Sequence, residues 1–94
     1  MNKSELSEAI AVGADISKIK SDQVLEALLL IIERQLILKD PVQLSGFGTF
    51  AVKERAARVG RNPKTGETIE ISAMMTVRFS PGKGFKEIIN QGID

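Results

Sequence analysis

An α+β fold is predicted for this chain: two N-terminal helices, a three-stranded antiparallel sheet extended by a long β-hairpin arm, and a short C-terminal helix. Three observations predict it. Apolar residues recur at helical spacing as far as about Leu38, the period changes to two after Pro41, and a cluster of turn-forming residues, Gly60–Gly66, separates two extended runs.

The first helix should start at about Lys3. Asn2 followed by Glu5 has the form of a capping box, and Leu6, Ala9, Ile10 and Ala14 fall near one face. Gly13 with Asp15 offers the turn that ends it. Ser17 is placed to cap a second helix from Lys18 to about Leu38, which the Lys39-Asp40-Pro41 segment stops because proline disfavours αR in the residue before it.

The middle of this second helix reads Val24, Leu25, Ala27, Leu28, Leu29, Leu30, Ile31, Ile32. Apolar residues there exceed the one stripe that a single packed neighbour covers, so a second surface must cover the rest, and a second subunit is the economical candidate. Val42 and Leu44 then alternate with Gln43 and Ser45, and Gly46-Phe47-Gly48 permits a tight turn into a strand from Thr49 to about Arg58. A partner strand from about Thr68 to Ser80 carries Ile69, Ile71, Ala73, Met75, Val77 and Phe79 on one face. Pro81-Gly82 breaks it, and Lys83 to about Gln91 returns to helical spacing through Phe85, Ile88 and Ile89. No internal repeat, linker or low-complexity tract interrupts the chain.

Composition narrows the function. Ninety-four residues form one domain, and a chain this short buries only about 60 to 65% of its unfolded surface if it folds alone. With no cysteine there is neither a disulfide nor a thiolate metal site, so oligomerisation is the remaining route to a larger core. The absence of histidine removes the commonest general base and the common zinc sites. No GK[ST] or GxGxxG motif is present, and the acids Glu5/Glu8 and Asp22/Glu26/Glu33 have the spacing of solvated helix faces. No enzyme, no cofactor, no metal and no small-molecule substrate is therefore expected. The longest apolar run, Ala27–Ile32, is far too short to span a bilayer, and the expected location is the cytoplasm.

The net charge is only +1, but it is unevenly spread. Residues 1–46 hold five Lys/Arg against seven Asp/Glu, and residues 47–94 hold eight against five. From Lys53 to Lys64 the cations Lys53, Arg55, Arg58, Arg61 and Lys64 face one acid, Glu54, and the only large hydrophobe is Val59. This is a basic hairpin with Gly60-Arg61-Asn62-Pro63-Lys64-Thr65-Gly66 at its tip. Arginine's planar fork suits phosphate oxygens and a narrow, negative minor groove, and an exposed proline suits a wedge between base pairs. The same residues also suit a mobile solvated loop with Pro63 as a plain turn-former, and the pattern alone leaves both readings open.

Three blocks bear on that choice: Gln43-Leu44-Ser45-Gly46-Phe47-Gly48-Thr49-Phe50, Gly60-Arg61-Asn62-Pro63-Lys64-Thr65-Gly66 and Phe79-Ser80-Pro81-Gly82-Lys83. In order and spacing, over essentially the whole chain, they resemble the signature of the HU and integration host factor family, with HU the nearer.

The resemblance implies an intertwined homodimer. Residues 1–40 form its helical dimerisation base, residues 41–81 a β-saddle with a DNA-binding arm at about 54–75, and residues 82–94 the C-terminal helix. It implies DNA contacts from Lys53, Arg55, Arg58, Arg61, Asn62, Pro63, Lys64, Arg78, Lys83 and Lys86, with Lys3 and Lys18 weaker candidates for flanking backbone contacts. Pro63 is the residue implied to intercalate. Leu29, Ile32, Leu36, Leu44, Phe47, Phe50 and Phe79 are expected in the dimer core.

The expected function is architectural, largely sequence-nonspecific binding and bending of double-stranded DNA through the minor groove, in the nucleoid, with bent, nicked or flexible DNA preferred. The alternatives are site-specific bending of the integration host factor kind and a dimeric interaction module that has lost DNA affinity. The chain departs from the family at Met75 and Ser80, where lysine or arginine is common, and is less basic than most members. Fewer cations release fewer counterions, so binding should be weaker and less salt-sensitive than for a strongly basic relative.

Overall fold

The structure, a computed structural model, describes residues 1–92. Two compact units divide the chain, one of residues Met1–Arg34 and the other beginning at Gln35.

In the first unit α1 (Lys3–Ala14) starts as its sequence predicts, with the Glu5 amide donating to Asn2 Oδ1 at 2.8 Å. It ends at Ala14, where the expected Gly13–Asp15 turn places it. Gly13 lies inside the helix, and the left-handed residue is Asp15 (φ 56), whose amide and that of Ile16 reach back to Val12 O and Ala11 O. This is a Schellman closure made without glycine. An aspartate is among the few side chains that visit this region readily.

α2 (Lys18–Ile37) begins at Ser17, whose hydroxyl accepts from the Lys20 amide at 3.1 Å. It closes the same way, with Lys39 at φ 60 and the amides of Lys39 and Asp40 donating to Leu36 O and Gln35 O.

Polar groups as well as apolar ones join α1 to α2. Ser7 and Ser21 are both buried, and Ser21 Oγ donates to Ser7 O at 2.6 Å. The Ser7 hydroxyl has one proton to give and directs it to the Asp22 carboxylate, its closest acceptor. Two small residues allow close helix approach, and each hydroxyl gives its proton to another acceptor, Ser21 to the Ser7 carbonyl and Ser7 to Asp22. Leu25, 3% exposed, packs in the same unit.

In the second unit β1 (Val42–Leu44), β2 (Gly48–Arg55) and β5 (Met74–Pro81) form a three-stranded antiparallel sheet in the order β1-β2-β5. The β1–β2 turn is closed by Phe47 N to Leu44 O at 2.9 Å, with Gly46 at φ 81. β3 (Arg58–Arg61) and β4 (Thr68–Ile71) pair separately, and α3 (Lys83–Gln91) follows. All four phenylalanines cluster here. Phe47 lies 4.7 Å from Phe85 and 5.4 Å from Phe79, and Phe50 lies 4.8 Å from Phe79, between ring centroids. Such tilted pairs contribute about 0.5 to 1.5 kcal/mol each beyond their burial.

Much of the apolar surface is not buried by the chain itself. Leu25 and Leu36 are the buried large hydrophobes among the described residues, while Val24, Leu28, Leu29, Leu30 and Ile31 of α2 and Ile88 and Ile89 of α3 are exposed. Of the residues expected in a dimer core, Leu36 is buried, Ile32 and Phe50 are half-buried, and Leu29, Leu44, Phe47 and Phe79 keep more than a third of their surface open.

Candidate nucleic-acid interface

Strand alternation gives each strand two faces, and the pairing register decides which faces coincide. Phe50 opposes Phe79, Val52 opposes Val77 and Glu54 opposes Met75, so one face of β2–β5 is mainly apolar. The other face pairs Ala51 with Arg78, Lys53 with Thr76 and Arg55 with Met74. Lys53, Arg55 and Arg78 thereby share one face, although Arg78 is remote from the other two in sequence.

The long strands expected from alternation are interrupted. The sheet's last pair is Arg55–Met74 and the next is Arg58–Ile71, which leaves Ala56-Ala57 and Ser72-Ala73 outside the ladders. Two residues are skipped on each side, so the register count is preserved across the gap. Small side chains supply weak cross-strand pairs at this point, and the arm becomes a sheet of its own. Within it Arg58 opposes Ile71 and Arg61 opposes Thr68. Being three residues apart on a strand, Arg58 and Arg61 occupy opposite faces of the ribbon.

The tip is ordered by its own hydrogen bonds. Asn62 N donates to Glu67 O at 2.8 Å, Gly66 N to Asn62 O at 2.7 Å, and the Lys64 amide to Asn62 Oδ1 at 2.9 Å. Gly66 supplies the left-handed residue at φ 73. Asn62 is thus half-buried by the turn it organises, while Pro63 and Lys64 are exposed at its crown.

The charges are unevenly paired. Among the described residues the ion pairs are Lys3–Glu26, Lys18–Asp22 at 3.0 Å and Lys39–Glu54 at 3.6 Å. Among the same residues no acid pairs with Lys53, Arg55, Arg58, Arg61, Lys64, Arg78, Lys83 or Lys86. Lys3 and Lys18, by contrast, are already engaged. Glu54, the lone acid of the basic stretch, is neutralised by Lys39.

Lys83 and Lys86 stand in the first turn of α3, which holds no acid. Cations are disfavoured at the positive end of a helix dipole, and both the lysines and the free amides there favour an anion. Gly82, the cap, offers no side chain to those amides, and its own N–H donates to Phe47 O at 2.8 Å, fixing the entry of α3 beside the Gly46–Gly48 turn.

Asp22 accepts hydrogen bonds from both Ser7 and Lys18. The hydrogen bond from Ser7, then that from Lys18, holds its carboxyl below the usual carboxylate range. No group of three or more acidic side chains among the described residues is close enough to hold a metal ion. No helix among them is long and apolar enough to cross a membrane.

Sequence reasoning missed three participants. Phe85 completes the aromatic cluster, Met74 sits on the cationic face, and Lys39 reaches Glu54. Helical spacing marked Phe85 as apolar, but nothing local to Met74 or Lys39 signals their partners.

Comparison with known proteins fits this geometry. Residues 1–90 match the family model described as bacterial DNA-binding protein. The chain is 52% identical over 90 residues to DNA-binding protein HU-beta of Salmonella typhimurium, covering 96% of this chain and 100% of that protein. It is 48% identical, with the same coverage, to DNA-binding protein HU-alpha of Pseudomonas aeruginosa. Among solved structures, the Anabaena HU–DNA cocrystal structure superposes with a TM-score of 0.83 at 47% identity, covering 95% of this chain and 97% of that one. HU from Thermotoga maritima gives a TM-score of 0.67 at 27% identity, covering 95% and 98%. The chain belongs to the bacterial DNA-binding protein family, that of HU and integration host factor.

Proposed function

We propose that this chain is an HU-type architectural protein that binds double-stranded DNA with little sequence preference and bends it through the minor groove. It acts as a homodimer in which residues 1–94 of each copy make one DNA-binding module, and it works in the nucleoid of the cytoplasm without catalysing a reaction. The observation that carries the reading is the arm: a two-stranded ribbon with Arg58 and Arg61 on opposite faces, no acid paired to either, and Pro63 exposed at an ordered tip. A ribbon lying in a groove meets both walls, and cations on both faces serve both phosphate rows. An apolar wedge at the tip suits entry between base steps, at a cost of a few kcal/mol of unstacking that further backbone contacts offset. Minor-groove readout is nearly degenerate, which accounts for weak sequence preference.

The homodimer rests on exposed apolar surface. The exposed Leu28–Ile31 segment of α2 and Phe47 and Phe79 of the sheet are apolar. Obligate homodimers bury about 2,000 to 5,000 Å² of such surface.

Lys53, Arg55 and Arg78 on the sheet and Lys83 and Lys86 at α3 are proposed to contact phosphates, and Asn62 and Lys64 to flank the kink. Lys3 contacts flanking DNA only by exchanging Glu26 for a phosphate.

The test is equilibrium binding to intact, nicked and gapped duplexes at two salt concentrations, with sedimentation to fix the stoichiometry. Two copies of the chain per duplex and tighter binding to interrupted DNA support the proposal. Absence of binding to every duplex would turn the assignment to a dimeric interaction module.

A further inference from the structure

Resting on the DNA-binding role proposed above, we infer that Met74 is an oxidation site whose conversion to the sulfoxide weakens DNA binding by drawing Arg55 back onto the protein.

Arg55 and Met74 are direct cross-strand partners, the last pair before the ladder breaks, and their side chains share the face that carries Lys53 and Arg78. Arg55 Nη2 already donates to Met74 Sδ at 3.8 Å. A thioether is a weak acceptor, so this contact leaves the guanidinium free to exchange it for a phosphate oxygen. Met74 is 51% exposed, so a small oxidant can reach this residue from solvent.

Hydrogen peroxide supplies the chemistry. The sulfur lone pair attacks one peroxide oxygen, an S–O bond forms as the O–O bond breaks, and the remaining oxygen leaves as water after proton transfer. Sulfur is oxidised and peroxide reduced. The sulfoxide oxygen is a strong, neutral acceptor in place of a weak one, and it stands on the atom that already faces Arg55. A charge-assisted bond at that position competes with phosphate for the same donor.

The neighbouring residue provides an internal control. Met75 is 48% exposed, so its oxidation should be comparable, yet it opposes Glu54 and lies on the other face. Oxidation there leaves Arg55 unaffected.

The experiment treats the wild type, Met74→Leu and Met75→Leu with peroxide, follows each sulfoxide by peptide mass spectrometry, and measures affinity for a nicked duplex before and after. Wild type and Met75→Leu should lose about tenfold in affinity, and methionine sulfoxide reductases should restore it; Met74→Leu should change by less than about twofold. Unchanged affinity at full Met74 oxidation, or equal loss in Met74→Leu, overturns this inference while leaving the DNA-binding role intact. Failure of the untreated protein to bind the duplex overturns both.

Discussion

Gly48 lies so close to Phe79 that a Cβ added at Gly48 would meet the ring's Cζ at 2.7 Å, and the carbonyl oxygen of Ser80 at 2.6 Å. Real side chains do not approach so closely, and one of the two obstacles is backbone. Replacing Gly48 by alanine must therefore displace β5 and also shift the Phe79 ring, which contacts Phe47 and Phe50. Gly48→Ala should lose about 1 to 3 kcal/mol of stability in urea unfolding.

Lys39 holds a left-handed backbone conformation, φ 60, at the closure of α2. Glycine adopts it without the Cβ penalty of about 1 kcal/mol, whereas the exposed ion pair that Lys39 makes with Glu54 contributes about 0 to 1 kcal/mol. The two nearly cancel, with the backbone the larger. Lys39→Gly should be neutral to slightly stabilising in thermal unfolding at moderate salt, and more clearly stabilising at high salt, where the ion pair is screened.

Asp22 is held below the usual carboxylate range by the hydrogen bond from Ser7 and then by Lys18. A carboxyl with a lowered folded value binds protons more readily when unfolded. Its contribution is therefore present above the ordinary carboxylate value and is lost as pH falls through the lowered one. Asp22→Asn should lower the urea midpoint near neutral pH and flatten its decline on acidification, so that the difference from wild type shrinks in acid.

Arg61 stands on the arm with no acidic partner among the described residues, so each copy is expected to neutralise one phosphate with it. Arg61→Ala should weaken binding to all duplexes alike and reduce the slope of log K against log salt by about 0.9 per arm. A titration from low to moderate salt reads both effects.

How much of this was legible in the sequence follows from the range of the forces involved. Both helix starts were, because Asn2 and Ser17 act on amides three residues away. Their ends, near residues 14 and 38, were legible too, although the closing residues Asp15 and Lys39 take a left-handed conformation more usual for glycine. Alternation gave each strand its faces but extended β2 and β5 through Ala56-Ala57 and Ser72-Ala73, where the loss of ladder pairs depends on two strands at once. The candidate site divides similarly. The tip is local, built by Asn62 on its own neighbours, and was visible. The coincidence of Arg55, Met74 and Arg78 on one face depends on register, which no single segment encodes.

Bending is the central claim, and the end-to-end distance of a nicked duplex, read by energy transfer between terminal dyes, tests it most directly. At saturating protein the wild type should bring the ends together, and Pro63→Ala, still bound, should return most of that distance because the wedge that holds the kink is gone. A wild type that saturates the duplex without shortening it would contradict the account.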